Sequence, residues 1–536
     1  MATTREQTAG PGLLKGLGLV DATALVVGSM IGSGIFIVSA DISRQVGSPG
    51  LMLMTWVVTA VVTMIAALSY GELAAAMPQA GGQYVYLREA FGPLSGFLYG
   101  WTLFLVIQTG TLAAVAVAFA KFTGVFFPWI SAHNRLAGIG RFGVSSQQLV
   151  AIAVLILLSW VNTRGVRTGA RVQNVFTFAK VGTLLGLVFV GLLLGSHPKA
   201  VAENFGHFWG NADWSFTTIR LVGVAMVGAL FSSEAWNNVT FTAGETRNPR
   251  RNVPLALALG VAIVLTLYIA SNVVYLRVLP LDAIQHAPED RVGTAAASVI
   301  LGPIGVQVMA AAIMVSTFGC LNGMILAGAR VYYAMALDGL FFKPVARLHP
   351  TRHTPVVSLV VQCVWACLLT LSGTYSDLLD YVIFAVLVFY IMTIVGVFVL
   401  RRTRPDLERP YRAFGYPVLP AVYILVAGLI EVLLLAYKPN YTWPGLRIVL
   451  LGVPVYFMWR GLWSGRAVGF VTICGIVGGV IGYLIGKPAV LSFAGIFSWE
   501  QPPRDVLNWM LAGVIVGAAA RLLVIYVTSR RGSGPD

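Results

Sequence analysis

Apolar residues run along this chain in long blocks separated by short polar connections. A helix needs about 20 apolar residues to cross the hydrocarbon layer of a bilayer, and fourteen blocks meet or approach that length. They lie near 17–40, 50–75, 94–127, 147–162, 173–195, 216–242, 254–278, 303–337, 355–373, 378–400, 415–437, 445–463, 468–486 and 508–528, numbered here as spans 1 to 14. Backbone in hydrocarbon must satisfy its own hydrogen bonds, so each block is expected to be a helix. The pattern predicts an all-α integral membrane protein with about 14 transmembrane helices.

Two spans are interrupted in the same way. Gly28-Ser29-Met30-Ile31-Gly32-Ser33-Gly34 breaks span 1, and Phe231-Ser232-Ser233-Glu234-Ala235-Trp236-Asn237-Asn238 breaks span 6. Each opens a block of five spans, and paired discontinuous helices at matching places point to a transporter built from inverted repeats. The expected organisation is a cytoplasmic segment 1–16 and a transport core 17–400, divided into repeats 17–195 and 216–400. Helices 11–12 (401–463), extra helices 13–14 (464–528) and a cytoplasmic tail 529–536 follow. Span 8 is long enough to require tilt or a projection into the cytoplasm. Span 13 carries Gly475, Gly478, Gly479, Gly482 and Gly486 at helical spacing, which suits either a homodimer contact or close packing within one copy.

Composition removes the soluble alternatives. Apolar residues make up 57% and charged residues 11%, against about 25% charged in soluble domains. The net charge of +15 would suggest nucleic acid in a soluble chain. Here, with the N-terminus inside, 20 Lys and Arg fall in inner segments and 8 in outer loops. That follows the positive-inside rule and predicts both ends cytoplasmic. No cleavable leader is read in the first 16 residues, and span 1 is expected to serve as an uncleaved anchor. All four cysteines lie in apolar runs, which argues against a disulfide framework and leaves none in the outer loops to hold a partner subunit.

Unwound backbone in a membrane is tolerated where it lines a cavity. Gly32, Ser33 and Gly34 can present the N-terminus of a half-helix, whose free N–H groups and positive dipole end suit a substrate carboxylate; simple packing glycines are the alternative. Phe231, Ser232 and Glu234 are placed to offer carbonyls to a substrate amine. Glu234 can instead carry a proton or cap the second half-helix. Phe231 and Trp236 are expected to close over a solute or to be core aromatics, and Gln108 and Thr109 to line the cavity or pack in span 3. Lys180 lies in an apolar run, where a charge costs about 2.5–3.5 kcal/mol. It either snorkels to the inner surface or sits between span 1 carbonyls and the span 8 hydroxyls of Ser316 and Thr317. Glu431 in span 11 is expected to pair locally with Lys438. No phosphate-binding loop, H-E-x-x-H helix or G-x-S-x-G elbow is present, so neither a metal nor a cofactor is expected, and an enzyme has no basis.

These passages resemble the amino acid–polyamine–organocation transporters, specifically bacterial relatives of the L-type amino acid transporters, over roughly residues 15–465. The resemblance is carried by LGLVDATALVVGSMIGSGIF, YGELAAAMPQAGGQYVYLREAFGPLSGFLYGW, NVFTFAKVGTLLGL, FSSEAWNNVTFTAGETRNPRRNVP, STFGCLNGMILAGARVYYAMALDGLFF and RPYRAFGYPVLP. It implies a five-plus-five inverted-repeat fold with helices 1 and 6 discontinuous. It places the substrate carboxylate at Gly32, Ser33 and Gly34, the amine at Phe231, Ser232 and Glu234, and the gate at Phe231. It puts Lys180 where sodium-coupled relatives hold an ion, touching Gly28 and Ser316. One departure stands out: where the family pattern has an aromatic followed by an acid-glycine or glycine-glycine pair before tryptophan, this chain reads Ser233-Glu234-Ala235 before Trp236.

The expected function is a sodium-independent permease moving L-amino acids, neutral ones foremost, across the plasma membrane by alternating access, as an exchanger or a proton symporter. A cationic amino acid or polyamine transporter is the alternative, and a non-transporting amino acid receptor a remote one. The expected partners are the amino acid, protons in the symport case, and the lipid bilayer. No nucleic acid and no obligatory partner subunit is expected, and the chain is expected to be a monomer or homodimer.

Overall fold

A computed structural model describes residues 13–139, 142–210, 212, 214–372 and 375–459. Spans 13 and 14, with their glycines, and the tail lie outside the described residues. Every block from span 1 to span 12 coincides with one helix or a broken pair. Span 1 is α1 (Leu19–Met30) and α2 (Gly34–Val46), bent by 42° at the break. Span 2 is α3 (Pro49–Ala76), and α4 (Gln83–Phe91) follows it at one end of the bundle. Span 3 comprises α5 (Pro93–Thr102), a π-helical turn at Leu103–Ile107 and α6 (Gln108–Thr123). Then come α7 (Ser146–Thr163), α8 (Val166–Leu193) and the short α9 (Pro198–Gly206).

Span 6 is α10 (Phe216–Ser232), a break, and the single turn α11 (Asn238–Phe241). The remainder is α12 (Pro249–Val278), α13 (Leu281–Gln285), α14 (Val292–Leu301), α15 (Ile304–Leu337), α16 (Val356–Ser372), α17 (Tyr375–Thr403), α18 (Val418–Tyr437) and α19 (Pro439–Trp459). The fold is the discontinuous-helix transporter fold of an integral membrane protein. Eight of these helices are long and apolar enough to cross a membrane unaided, and the bent α1–α2 pair makes a ninth. The only described strands, β1 (Arg135–Ile139) and β2 (Phe142–Ser145), form an antiparallel hairpin that hydropathy gave no sign of.

Local chemistry sets the boundaries. Ser48 accepts a hydrogen bond from Leu51 N at the start of α3, and Pro49 occupies the first helical position, where a missing N–H is harmless. Gly47, at φ 66°, ends α2 in the left-handed conformation that glycine adopts without a Cβ clash. Ser145 and Gln148 form a reciprocal capping box that turns the hairpin into α7.

α12 packs along α3 and α1, α10 along α2, and α15 between α8 and α6. The broken spans are thereby held at the centre. The described loops group at two ends of the bundle. Residues 13–18, α4, 245–250, Asp338 and 401–413 are joined at one end by contacts such as Leu17 O with Arg247 N and Arg404 with Glu89. Arg44, Lys121 and residues 285–291 meet at the other.

Candidate functional site

The break in span 1 arises because Gly32 and Ser33 interrupt the ladder between α1 and α2, leaving carbonyls at the end of α1 without helical partners. Lys180 from α8 reaches them. Its ammonium donates to Gly28 O at 2.8 Å, Ile31 O at 2.8 Å and Ser316 O of α15 at 2.9 Å. The residue is 1% exposed, so it does not snorkel to a surface. Ser316 Oγ contacts Ile31 O and Gly32 O, each at 3.0 Å. Thr317 does not join them: its hydroxyl turns back to Ile313 O and Met314 O of its own helix, the usual recourse of threonine inside a helix. Gly28 permits the close approach of α8, because a Cβ there would overlap Gln173 Nε2 and Thr177 Oγ1.

The two breaks touch each other. A Cβ on Gly34 would collide with the Ser232 side chain, so the N-terminus of α2 lies directly against the C-terminal end of α10. The dipole ends are complementary there. Tyr268 of α12 spans the joint, its hydroxyl 3.0 Å from Met30 O and 3.1 Å from Ser232 O. The carbonyls proposed from sequence for a substrate amine are thus engaged within the protein: Ser232 O meets Tyr268, and Phe231 O accepts from Glu234 N at 3.2 Å. Phe231 and Ser33 are both buried. In this conformation the two breaks meet at the Gly34–Ser232 contact and under the Tyr268 hydroxyl.

Space opens on the far side of span 6. A narrow pocket there, with room for little more than a water, is lined by Thr63, Ser233, Glu234, Trp236, Tyr390 and Tyr423, among others. A second narrow pocket is lined by Gln83, Gln108, Glu234, Asn237 and Tyr390, among others. Glu234 and Tyr390 face both, and Tyr390 Oη donates to Glu234 Oε1 at 3.1 Å. The Trp236 ring sits edge-on to Tyr70 at 4.8 Å and tilted against Tyr390 at 5.1 Å. Gln108 reaches across to Met324 O of α15 at 2.7 Å while lining the second cavity. Thr109 lines neither; the π-turn directs its hydroxyl to Phe104 O at 2.6 Å. Ala235 holds φ 68°, a left-handed conformation that costs a residue with a Cβ about 1–2 kcal/mol and that the family's glycine would adopt freely.

Sequence reasoning missed Tyr268, Tyr390 and Tyr423, because a tyrosine in an apolar run reads as core. It also missed the amide chain beneath Gly28, where Asn162 donates to Asn322 at 2.9 Å and Asn322 to Gln173 at 3.1 Å. Glu431 departs from expectation: it is buried, and neither carboxyl oxygen has a hydrogen-bond partner, so the pairing with Lys438 does not form. Lys438 lies seven residues on, at the C-cap of α18.

Comparison with known proteins agrees with this architecture. The amino acid permease family pattern matches residues 17–453. The chain is 32% identical over 461 residues to the human large neutral amino acids transporter small subunit 2, covering 84% of this chain and 81% of that one. It is 30% identical to the mouse Asc-type amino acid transporter 1, over 84% of this chain and 82% of the relative. It is also 30% identical to the mouse b(0,+)-type amino acid transporter 1, over 83% and 88%. With two broken spans at its centre and those relatives along most of its length, this multi-pass membrane protein is a transporter rather than an enzyme, and it belongs to the amino acid permease family.

Proposed function

We propose that the chain is a sodium-independent secondary transporter of neutral L-amino acids in the plasma membrane, with both ends cytoplasmic, working as an exchanger or a proton symporter. The carrying observation is Lys180. Its ammonium fills the space among the Gly28, Ile31 and Ser316 carbonyls that a bound monovalent cation would otherwise need. A covalently attached cation makes a sodium ion superfluous there. The backbone N–H groups of α2 at Gly32-Ser33-Gly34 then serve the substrate carboxylate once α2 and α10 separate, and the carbonyls of Phe231, Ser232 and Glu234 serve the amine. Residues 17–195 and 216–400 act as the two repeats that rock against each other.

The human relative is named a small subunit. In this chain the described cysteines, Cys320, Cys363 and Cys367, all lie within α15 and α16, so no described thiol stands in a loop for a covalent partner. We therefore read the chain as working alone, as a monomer or homodimer. A second reading, transport of cationic amino acids or polyamines, is favoured by Glu234, the carboxylate that faces both cavities.

The test is efflux of labelled leucine from proteoliposomes into sodium-free buffer, with and without external amino acids. Efflux dependent on external neutral amino acids supports exchange, and efflux that responds to a pH gradient supports proton symport. A strict sodium requirement refutes the role given to Lys180. Movement only of arginine or polyamines selects the second reading.

A further inference from the structure

We propose that Glu431 is a proton-binding site of this transporter, connected to the substrate region through the cavity beside Glu234. The proposal rests on the transport reading above and deepens it by naming where a coupled proton binds.

Glu431 lies on the face of α18 that packs into the protein. Tyr423, Ala427, Ile430 and Leu434 share that face and are buried, whereas Val422, Leu425, Leu429 and Val432 point outward. The carboxyl is thus inside the bundle and not at its lipid surface. Both of its oxygens are buried without a hydrogen-bond partner. An ionised carboxylate so placed would bear a desolvation cost that proteins escape by neutralising the group. In this conformation Glu431 therefore carries its proton.

Among the described residues, no hydrogen bond reaches the Glu431 carboxyl. The helices packed against α18 are α3, α10, α17 and α19. On α3, Glu72 is bound by Arg401 of α17 and Tyr70 is stacked on Trp236. On α10, Arg220 lies over the Tyr437 ring, and the Glu234 that follows this helix accepts from Tyr390 of α17. On α19, which also carries Arg447, Tyr456 packs on Phe97, and Lys438 follows the end of α18. Arg402 at the end of α17 is exposed.

A route for the proton is visible in the side chains between the two carboxyls. Tyr423, eight residues from Glu431 on the same face, lies about 12 Å away along the helix axis and lines the cavity that Glu234 and Tyr390 also line. On α3, Thr63 lines this cavity, and Thr59 one turn away buries a hydroxyl without a partner; Ser233 does the same at the break. The start of α3 and the end of α18 lie at the same end of the bundle, with Gly50 N on Phe208 O and Arg220 on Tyr437. Thr59 therefore continues from Thr63 in the direction that leads from Tyr423 to Glu431. When α10 moves away from α2, water entering this polar seam can solvate the Glu431 carboxylate. The O–H bond then breaks and the proton passes along the seam.

The experiment compares wild type with Glu431→Gln, which copies the neutral acid in shape but has no proton to give, in proteoliposomes under an imposed pH gradient. With one coupled proton, a gradient of about one unit changes accumulation about tenfold. Wild type is expected to show that response and Glu431→Gln to lose it, with gel filtration confirming that both are folded. An undiminished response in Glu431→Gln overturns the proposal. Leucine exchange by wild type with no response to the gradient also overturns it, and leaves the permease reading intact. If wild type moves no amino acid, the permease reading has failed, and infrared spectroscopy decides the proton site separately. A carbonyl stretch of a non-hydrogen-bonded carboxylic acid, present in wild type and absent in Glu431→Gln, supports it, and identical spectra overturn it.

Discussion

Replacing Lys180 with methionine keeps most of the stem's volume and removes only the ammonium. Three hydrogen bonds to carbonyls disappear, at 2.8, 2.8 and 2.9 Å. Bonds to a charged donor contribute about 1.5–3 kcal/mol each, which makes about 5–9 kcal/mol for the three. Holding the charge inside the membrane costs about 3 kcal/mol, which methionine recovers. The expected loss of stability is the difference, about 2–6 kcal/mol. Ile31 O retains Ser316 Oγ, while Gly28 O at the end of α1 loses its side-chain donor. The damage therefore falls on the joint between α1, α8 and α15, the place where span 1 must pivot. If as little as 1.4 kcal/mol of it weighs on one access state only, the balance between states shifts tenfold. Uptake should accordingly fall at least about tenfold. Unfolding in mixed micelles gives the stability change, and proteoliposome uptake gives the rate. A Lys180→Met protein with unfolding free energy within about 0.5 kcal/mol of wild type and unchanged uptake would refute the reasoning.

Gly34→Val drives a branched side chain into Ser232 and must force α2 and α10 apart; the expected result is loss of leucine-induced thermal stabilisation, and wild-type stabilisation would exclude the close contact. Tyr268→Phe removes the hydroxyl that bridges Met30 O and Ser232 O. It should cost about 1–3 kcal/mol of stability and raise the accessibility of a cysteine placed at Ser232, and an unchanged modification rate counts against a bridging role. Ala235→Gly relieves about 1–2 kcal/mol of left-handed strain against about 0.5–1 kcal/mol of added unfolded-chain entropy, so its melting temperature should rise slightly; a fall would show that the strain is absent. At the end of the bundle, burial pushes the Glu89 carboxyl up, but Arg404 and Arg88 outweigh it and hold it below its ordinary value. A depressed carboxyl contributes stability above its unfolded value, about 4.3, and loses it as pH falls through the folded one. Glu89→Gln should therefore narrow the stability difference between neutral pH and pH below about 4, and parallel acid-unfolding curves would contradict the pairing.

Much of this was legible in the residues. Hydropathy located every described span, because a bilayer imposes a length and an apolar composition that little else in a sequence imitates. The clustered glycines and serines of span 1 and the Glu234 motif of span 6 located the breaks, since backbone freedom and polar atoms at membrane depth have few other uses. Lys180 was legible as a buried cation for the same energetic reason. What stayed hidden depended on direction. Whether Thr317 turns to Lys180 or to its own helix is decided by a rotamer, and Thr109 is governed by a π-turn that no periodicity announces. Tyr268 and Tyr390 look like packing until their hydroxyls are seen on a carbonyl and a carboxylate. The β1–β2 hairpin and α14 fall in connections where neither pattern nor length constrains the chain.

The two ends of the bundle are held unequally, and that bears on which one opens first. At the α4 end, Arg330 and Glu245 form a bidentate pair at 2.9 and 3.1 Å with both side chains 1% exposed. Glu72, 2% exposed, is gripped there by Arg401 and Arg409 and also accepts from Ala413 N. Removing one partner of a buried pair strands a charge and costs about 3–5 kcal/mol. At the opposite end, Arg44–Asp290 and Lys121–Glu289 are largely solvent-facing, with side chains 28–58% exposed. Exposed pairs contribute about 0.2–1 kcal/mol each, and water replaces them readily when they part. Separation at the Asp290 end breaks the exposed Arg44–Asp290 and Lys121–Glu289 pairs, whereas separation at the α4 end requires buried carboxylates to find new partners. The expectation is therefore that the N-terminus of α2 is uncovered first from the Asp290 end. In the alternating-access cycle proposed above, the stronger latch at the α4 end would keep both ends from opening together.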